Sequence, residues 1–149
     1  MGTIRLPPDF NDFLRSLNDH KVEYLLIGGY AVGYHGYPRA TADLDVWIGT
    51  SDANSVRCEA AVKAFGFETP ELSRSLFQQG NQIIRMGRPP LRIEMHTEIS
   101  GVKFEACYAS RVEDVLDGIP VKIISLAHLK VNKQAGGRHQ DLADLDRLP

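Results

Sequence analysis

The first apolar residues of the chain recur at the spacing of an α-helix. The sequence Pro7-Pro8-Asp9 can open a helix, and the apolar residues after it are spaced i, i+3, i+4 and i+7. These residues are Phe10, Phe13, Leu14 and Leu17. The spacing places all four on one helix face, which we expect to pack on a sheet.

Two strand-like runs follow this helix, with a glycine turn between them. Val22–Ile27 is short, apolar and rich in strand formers, and it stops at Gly28 and Gly29. Tyr30–Tyr37 is compatible with a short helix. In Asp43–Ile48 polar and apolar residues alternate at the start, which predicts a second strand.

The next segment has the end signals of a longer helix. Ser51 or Asp52 can cap its start, the helix runs to about Phe65, and Gly66 can end it. The residues that we expect on its core-facing side are Ala53, Val56, Ala60 and Ala64.

The second half of the chain continues to mix strands with helices. Its apolar runs predict three more strands, which are Gln82–Met86, Leu91–Thr97 and Ile119–Ile124. Further helices are predicted at Pro70–Phe77, near Arg111–Leu116, from the cap Ser125 to Gln134, and around Leu142, Leu145 and Leu148. This order predicts an α/β (α+β) fold, with a small mixed sheet flanked by helices.

Composition narrows the class of protein. The 149 residues suit one domain, which we expect to span residues 1–149. With 17 Lys and Arg against 19 Asp and Glu, the net charge of −2 excludes a basic field for coating nucleic acid. Two cysteines are too few for a disulfide framework. Since no apolar stretch approaches about 18 residues, we expect a cytoplasmic protein without a membrane span.

The candidate chemistry begins at the end of the first predicted strand. Gly28 and Gly29 follow the apolar run, and glycines at this place let the backbone turn sharply and approach a ligand. The helix after them offers backbone N–H groups to a phosphate. The pair is a candidate phosphate-binding turn, and a simple turn is the alternative.

Two carboxylates follow on the second predicted strand, after a spacer of thirteen residues. Asp43 and Asp45 are two residues apart, so their side chains leave the same face of the strand. A hard divalent cation relieves the repulsion between neighbouring carboxylates. Two such ions can activate an attacking oxygen and stabilise a leaving pyrophosphate. The pattern favours a Mg²⁺ or Mn²⁺ site for nucleotidyl transfer.

These residues resemble the signature of the nucleotidyltransferases of the DNA-polymerase-beta-like superfamily. The signature has a hydrophobic residue and two small residues, matched by Ile27–Gly29, and then Asp-hydrophobic-Asp-hydrophobic, matched by Asp43–Val46. The longer string, through Arg39–Asp45, is similar to small stand-alone bacterial members, among them toxins of toxin–antitoxin pairs. It also resembles antibiotic adenylyltransferases. The specific resemblance covers residues 21–49.

The resemblance implies a third carboxylate on a neighbouring strand, and Glu94 is the candidate. Alternation places it on one face with Arg92 and His96. Glu94 stands where the superfamily usually has aspartate. We expect it to act as a general base on the acceptor hydroxyl or as a metal ligand. The alternative is an exposed strand carboxylate paired with Arg92.

Cationic residues elsewhere in the chain can hold phosphates. Lys133 and Arg138 lie near a predicted helix end and the next helix start, and Arg39 precedes the acidic pair by four residues. We expect them to bind a triphosphate or an anionic acceptor. The alternatives are a solvated helix face for Lys133 and surface ion pairs of Arg138 with Asp141 and Asp144. By resemblance, this C-terminal string matches a feature of the stand-alone proteins.

The histidines carry no zinc motif. His35, His96 and His139 have neither HxxxH spacing nor a cysteine partner, so we do not expect zinc.

The resemblance implies transfer of a nucleoside monophosphate from an NTP to an acceptor hydroxyl, with release of pyrophosphate. It implies an RNA end, such as tRNA, or a protein side chain as acceptor, and an antitoxin as partner. Two alternatives stand beside it. One is an antibiotic adenylyltransferase of the aminoglycoside or lincosamide type, and the other is an inactive module that binds a nucleotide or a partner protein.

Overall fold

A mixed sheet organises the chain in the computed structural model, which describes residues 4–68, 70 and 72–149. Within these residues the strands are β1 (Tyr24–Ile27), β2 (Asp43–Ile48), β3 (Ile83–Met86), β4 (Arg92–His96), β5 (Val112–Leu116) and β6 (Ile119–Ile123). The helices are α1 (Pro8–Asp19), α2 (Gly28–Tyr34), α3 (Asp52–Phe65), α4 (Phe104–Ala109), α5 (Leu126–Gly136) and α6 (His139–Arg147).

The sheet places β2 near its middle. The strand order is β3-β4-β2-β1-β6-β5. β2 runs parallel to β4, and β1 runs parallel to β6, whereas the other neighbours are antiparallel. The predicted fold class, a mixed sheet flanked by helices, is confirmed.

The first helix covers the sheet with the face that its spacing predicts. The side chains fully buried on α1 include Phe10, Phe13, Leu14 and Leu17. They pack α1 against α3 and β6. Because full burial of one such side chain contributes about 1.5–3 kcal/mol, this face is a large part of the core.

Most predicted strands and the fifth helix agree with the structure. β2 has the predicted bounds, and β3, β4 and β6 lie inside the predicted runs. Ser125 caps α5 through its side chain, and Gly137 ends that helix with a φ of +66°. The glycine pair belongs to α2, which begins at Gly28 rather than at Tyr30.

The predicted core-facing side of α3 is wrong. Its four predicted residues are exposed, and the buried side chains are Asn54, Ser55, Cys58, Ala61 and Val62. Asn54 accepts a hydrogen bond from the backbone N of Glu23 at 2.7 Å and donates to the Gly49 carbonyl at 2.7 Å. The side chain thereby satisfies backbone groups at the ends of β1 and β2, which turns a polar residue inward.

The helix predicted near Arg111–Leu116 is also wrong. This segment is β5, which pairs antiparallel with β6. Asp117 and Gly118 connect the two strands, with φ of 51° and 80°. Two adjacent positive φ angles are typical of the two-residue hairpin turn that favours Asp-Gly, so that dipeptide was the signal for a hairpin.

The remaining helical segments are short. Of the helix predicted within Pro70–Phe77, the structure has a 3₁₀ helix, Arg74–Gln78, and residue 71 lies outside the described residues. α4 was not predicted.

None of the helices in the described part of the chain is both long and apolar enough to cross a membrane.

The inward face of α6 differs from the predicted leucine face. Leu142 is 45% exposed, whereas Leu148, just beyond the helix, is buried. The side chains that α6 buries are Asp141 and Asp144. Both carboxylates are buried because cationic side chains, those of Arg39, Lys133 and Arg138, pair with them.

Candidate active site

The acidic pair lies on one face of β2. Leu44 and Val46 are fully buried, and this sets the alternation of the strand. Asp43 and Asp45 therefore leave the opposite face, where they are half-buried. Both carboxylates point to the same side of the sheet, as their spacing predicts.

Glu94 and a histidine lie beside this pair on β4. The parallel register pairs Asp45 with Glu94 and Trp47 with His96. One ligand atom from each of Asp45, Glu94 and His96 lies within 4.8 Å of the others. His96 Nε2 is 3.2 Å from Asp45 Oδ1 and 4.0 Å from Glu94 Oε1. Asp43 is outside this group of three but lines the same cavity.

His96 is a site residue that sequence reasoning did not select. Alternation along the strand had already placed it on the same face as Glu94. Its hydrogen-bond partner Asp45 is not near it along the chain but reaches it from the adjacent strand. The face pattern was therefore the informative signal.

The glycine pair lies directly beside Asp45. β1 pairs Ile27 with Asp45, so the chain reaches Gly28 next to that carboxylate. Gly28 has a φ of +68°, and a Cβ at this position would overlap Asp45 Oδ2. A Cβ on Gly29 would lie 3.0 Å from the side chain of Thr41. Close approach to the acidic strand therefore requires glycine at position 28.

One cavity of about 610 Å³ collects the residues that the sequence singles out. The predicted residues that line it are Gly28, Gly29, Arg39, Asp43, Asp45, Glu94, Lys133 and Arg138. Their functional roles stay predictions, but the structure brings all of them to one place.

The cationic side of the cavity is built around Asp144. Its side chain is fully buried and accepts two hydrogen bonds from Arg39, each of 2.9 Å. Lys133, itself 5% exposed, places Nζ 3.0 Å from Asp144 Oδ2. Asp144 thus joins α6 to α5 and to the segment before β2, and it engages two residues that were expected to hold phosphate.

Asp141 makes a second set of ion pairs on this side. It accepts hydrogen bonds from Arg138 Nε at 2.9 Å and from Arg138 Nη2 at 3.2 Å, and it lies 3.4 Å from Lys133 Nζ. The expected Arg138–Asp141 pair is present, but Asp141 is buried rather than on the surface. Arg138 keeps 82% of its side chain exposed, so a ligand can reach the guanidinium.

These contacts shift the pKa of both buried carboxyls. Burial alone raises the pKa of Asp141 and Asp144. The hydrogen bonds from Arg138 and Arg39, with the charge of Lys133, outweigh burial and hold both pKa values below the ordinary 3.8. Both side chains are therefore carboxylates at neutral pH.

Arg85 is a second residue that the sequence did not single out. The β3–β4 register places it opposite Glu94, and its Nε is 2.6 Å from Glu94 Oε2. Arg92, the partner expected from the sequence, is 4.0 Å away from the same oxygen. Because the Arg85 side chain is 59% exposed, this cross-strand pair is open to competition from other ligands.

Comparisons with known proteins bear on the fold. No family model and no curated protein matches the chain. A solved structure does match, that of an antigenic nucleotidyltransferase-like protein from Paracoccidioides brasiliensis. The TM-score is 0.52 at 18% identity, over 93% of this chain and 72% of that one. The fold is nucleotidyltransferase-like.

The cavity in this nucleotidyltransferase-like fold suits a divalent cation. Ligands stand about 2.1 Å from such an ion, so two ligands of one ion are at most about 4.2 Å apart. The distances from His96 Nε2 to Asp45 and Glu94, 3.2 and 4.0 Å, fall within that limit, and the ligand atoms of all three residues lie within 4.8 Å of one another. Carboxylate oxygens suit Mg²⁺ and Mn²⁺, and imidazole adds a nitrogen donor. The residues present therefore fit a divalent cation.

Proposed function

We propose that this protein is a divalent-cation-dependent nucleotidyltransferase. It transfers a nucleoside monophosphate from an NTP to an acceptor hydroxyl and releases pyrophosphate. The observation that carries the proposal is the joint position of Asp43, Asp45 and Glu94 on one face of two parallel neighbouring strands, beside Gly28. The nucleotidyltransferase-like fold supports the same activity.

The acidic side chains divide the chemistry between them. Asp43 and Asp45 hold the cation, because their oxygens share one face of β2. Glu94, paired with Asp45 across the sheet, binds the cation or takes the proton of the attacking hydroxyl. A bound Mg²⁺ or Mn²⁺ supplies Lewis acidity toward the phosphate oxygens.

The opposite wall of the cavity binds the triphosphate. Arg39, Lys133 and Arg138 face two carboxylates, Asp141 and Asp144, so the wall keeps one positive charge in excess. The exposed guanidinium of Arg138 is the side chain best placed to contact a phosphate. The glycine pair lets the NTP approach the backbone beside Asp45.

An RNA end or a protein side chain is the proposed acceptor. The support is the resemblance of residues 21–49 to the stand-alone bacterial proteins, which also suggests a toxin role with an antitoxin partner and action in the cytoplasm. An antibiotic acceptor is the alternative outcome that the experiment must distinguish.

Transfer of a labelled nucleotide tests the proposal. The protein is incubated with each α-labelled NTP, with Mg²⁺ or Mn²⁺, and with cellular RNA, cellular protein, or an aminoglycoside or lincosamide. We expect label on RNA or protein, lowered more than about 100-fold in Asp43→Ala and Asp45→Ala, since even an outer partner of a metal ligand is worth about 10- to 100-fold. Asp12→Ala, an exposed change on α1, is the matched control.

The outcomes separate three functions. Label on the antibiotic alone moves the protein to the adenylyltransferase class. Nucleotide binding without transfer to any acceptor contradicts the enzymatic proposal. That result would support the inactive binding module. The structural argument for such a module is the Arg85–Glu94 contact, because it occupies the candidate third carboxylate.

A further inference from the structure

We infer that His96 is a ligand of the cation in this cavity and that it makes the site prefer Mn²⁺ to Mg²⁺. The inference rests on the proposed function for the existence of the metal site. It goes further by adding a nitrogen ligand and a metal preference.

The backbone directs His96 into the site. Ile93 and Met95 are fully buried, so the alternation of β4 sends Glu94 and His96 to the opposite face. The parallel register sets Glu94 level with Asp45, and His96 lies two residues further along the same face. The imidazole therefore meets the Asp45 carboxylate diagonally across two neighbouring strands.

The donor atoms already converge. His96 Nε2 lies 3.2 Å from Asp45 Oδ1 and 4.0 Å from Glu94 Oε1. Arg85 contacts the other oxygen of Glu94, Oε2, which leaves Oε1 on the side of His96. The side chains of His96 and Asp45 are each 17% exposed, so the group is largely enclosed and still open to the cavity.

The surrounding charge favours a cation at this point. Besides Asp141, four carboxylates line the cavity, those of Asp43, Asp45, Glu94 and Glu98, and of these Glu94 is paired with Arg85. The buried cations of the opposite wall are already paired with Asp141 and Asp144. Arg138 interacts electrostatically with Asp45 and Glu94, but it also pairs with Asp141, so a divalent ion beside Asp45 would still meet net negative charge from the carboxylates of the sheet.

Coordination chemistry then predicts which ion binds best. Mg²⁺ prefers oxygen ligands and retains several waters, so a nitrogen donor adds little to its binding. Mn²⁺ takes carboxylates as Mg²⁺ does, but as a transition-metal ion it gains more than Mg²⁺ from a nitrogen ligand, although it is the weakest binder of the first-row series. A carboxylate site with one added imidazole should therefore favour Mn²⁺ over Mg²⁺.

Binding of Mn²⁺ alone, without nucleotide, tests the inference. Electron paramagnetic resonance reports free Mn²⁺, and added Mg²⁺ measures competition. We expect wild-type protein to prefer Mn²⁺ by about tenfold or more, and His96→Gln to lose most of that preference. Gln retains an amide donor for Asp45, so this variant separates a ligand from a hydrogen-bonding partner. His20→Gln, outside the cavity, should behave as wild type.

Nitrogen coordination has a direct spectroscopic signature. Electron spin-echo envelope modulation of bound Mn²⁺ should show coupling to a ¹⁴N nucleus in wild type and in His20→Gln. The coupling should be absent in His96→Gln. Bound Mn²⁺ without ¹⁴N coupling, or an unchanged metal preference in His96→Gln, overturns the inference.

The two proposals fail in different ways. Transfer with Mg²⁺ by a protein that shows no ¹⁴N coupling would reject His96 as a ligand and retain the nucleotidyltransferase. Coupling and a Mn²⁺ preference without any transfer would retain the ligand and reject the enzyme.

Discussion

The two sides of the cavity are both rich in charge, but they are built in opposite ways. On the sheet side, Asp43, Asp45 and Glu94 are half-buried carboxylates that lie close together. On the helix side, Asp141 and Asp144 are buried, and each is enclosed by cations. On the sheet side Glu94 is paired with the exposed Arg85, but the charges of Asp43 and Asp45 are available for a ligand, whereas the helix side has largely neutralised its own.

This difference predicts that the carboxylates of the helix side stabilise the fold and that those of the sheet side bind the cation. A carboxylate inside a buried ion-pair network cannot be removed without leaving a buried cation unpaired. A carboxylate that lies beside other carboxylates contributes little to folding and a great deal to cation binding. Substitutions on the helix side should therefore act first on the free energy of unfolding, and those on the sheet side on metal binding and transfer.

The largest expected effect on stability is that of Asp144→Ala. The change leaves Arg39 without its carboxylate partner and Lys133 with Asp141 alone. Removal of one partner of a buried pair costs about 3–5 kcal/mol, and we expect the lower end of that range because Arg39 is partly exposed and Lys133 remains paired. Urea unfolding followed by the fluorescence of Trp47, the single tryptophan of the chain, measures it. Asp146→Ala, exposed on the same helix, should stay within about 0.5 kcal/mol of wild type. Equal stability of the two variants would contradict the buried-network interpretation.

The next effect is a loss of stability in acid. The pKa values of Asp141 and Asp144 are lowered in the folded protein, so their contribution is fully present above the unfolded value near 3.8. It is lost as the pH falls through 3.8 and on through the lower folded pKa values. We expect the free energy of unfolding to fall less steeply over this range in Asp144→Asn than in wild type. Parallel curves for the two proteins would exclude the network as the source of the acid sensitivity.

The smallest effect on stability is expected for Gly28→Ala, which sharpens the comparison on the sheet side. A non-glycine residue at positive φ costs about 1–2 kcal/mol. Gly118→Ala is the matched control, because Gly118 has a φ of +80° and no heavy atom within 4 Å of a Cβ placed there. Both variants should lose stability in thermal unfolding, and Gly28→Ala at least as much as Gly118→Ala, because its Cβ also meets Asp45. Gly28→Ala alone should also weaken Mn²⁺ binding, because its Cβ displaces the Asp45 carboxylate.

Equal Mn²⁺ affinity in the two glycine variants would argue against a functional role for the close approach of Gly28 to Asp45. The glycine would then be required only for the turn into α2.

Much of the sheet could be predicted from the sequence, since a strand face depends on alternate residues. The apolar residues Leu44 and Val46 suffice to orient Asp43 and Asp45. The buried neighbours Ile93 and Met95 orient Glu94 by the same alternation. The hairpin at Asp117 and Gly118 also has a local signal, the Asp-Gly dipeptide.

The inward faces of α3 and α6 could not be predicted by the same means. Alanine fits either side of a helix, and Asn54 is buried because it satisfies backbone groups of the strands. On α6 the buried side chains are charged, and a search for apolar positions selects the wrong face. In both helices a polar residue is buried because its partner is supplied by another part of the chain.

The sequence by itself determined which side chains share a strand face, because backbone alternation is local and repeats every two residues. It also determined where glycine allows a turn. Only the tertiary structure decided which charges meet: Arg39 and Asp144 are 105 residues apart, and Asp45 and His96 are 51 apart. A buried charge is stabilised by whatever opposite charge lies near it in space, and that proximity arises from the packing of strands and helices rather than from any period in the chain.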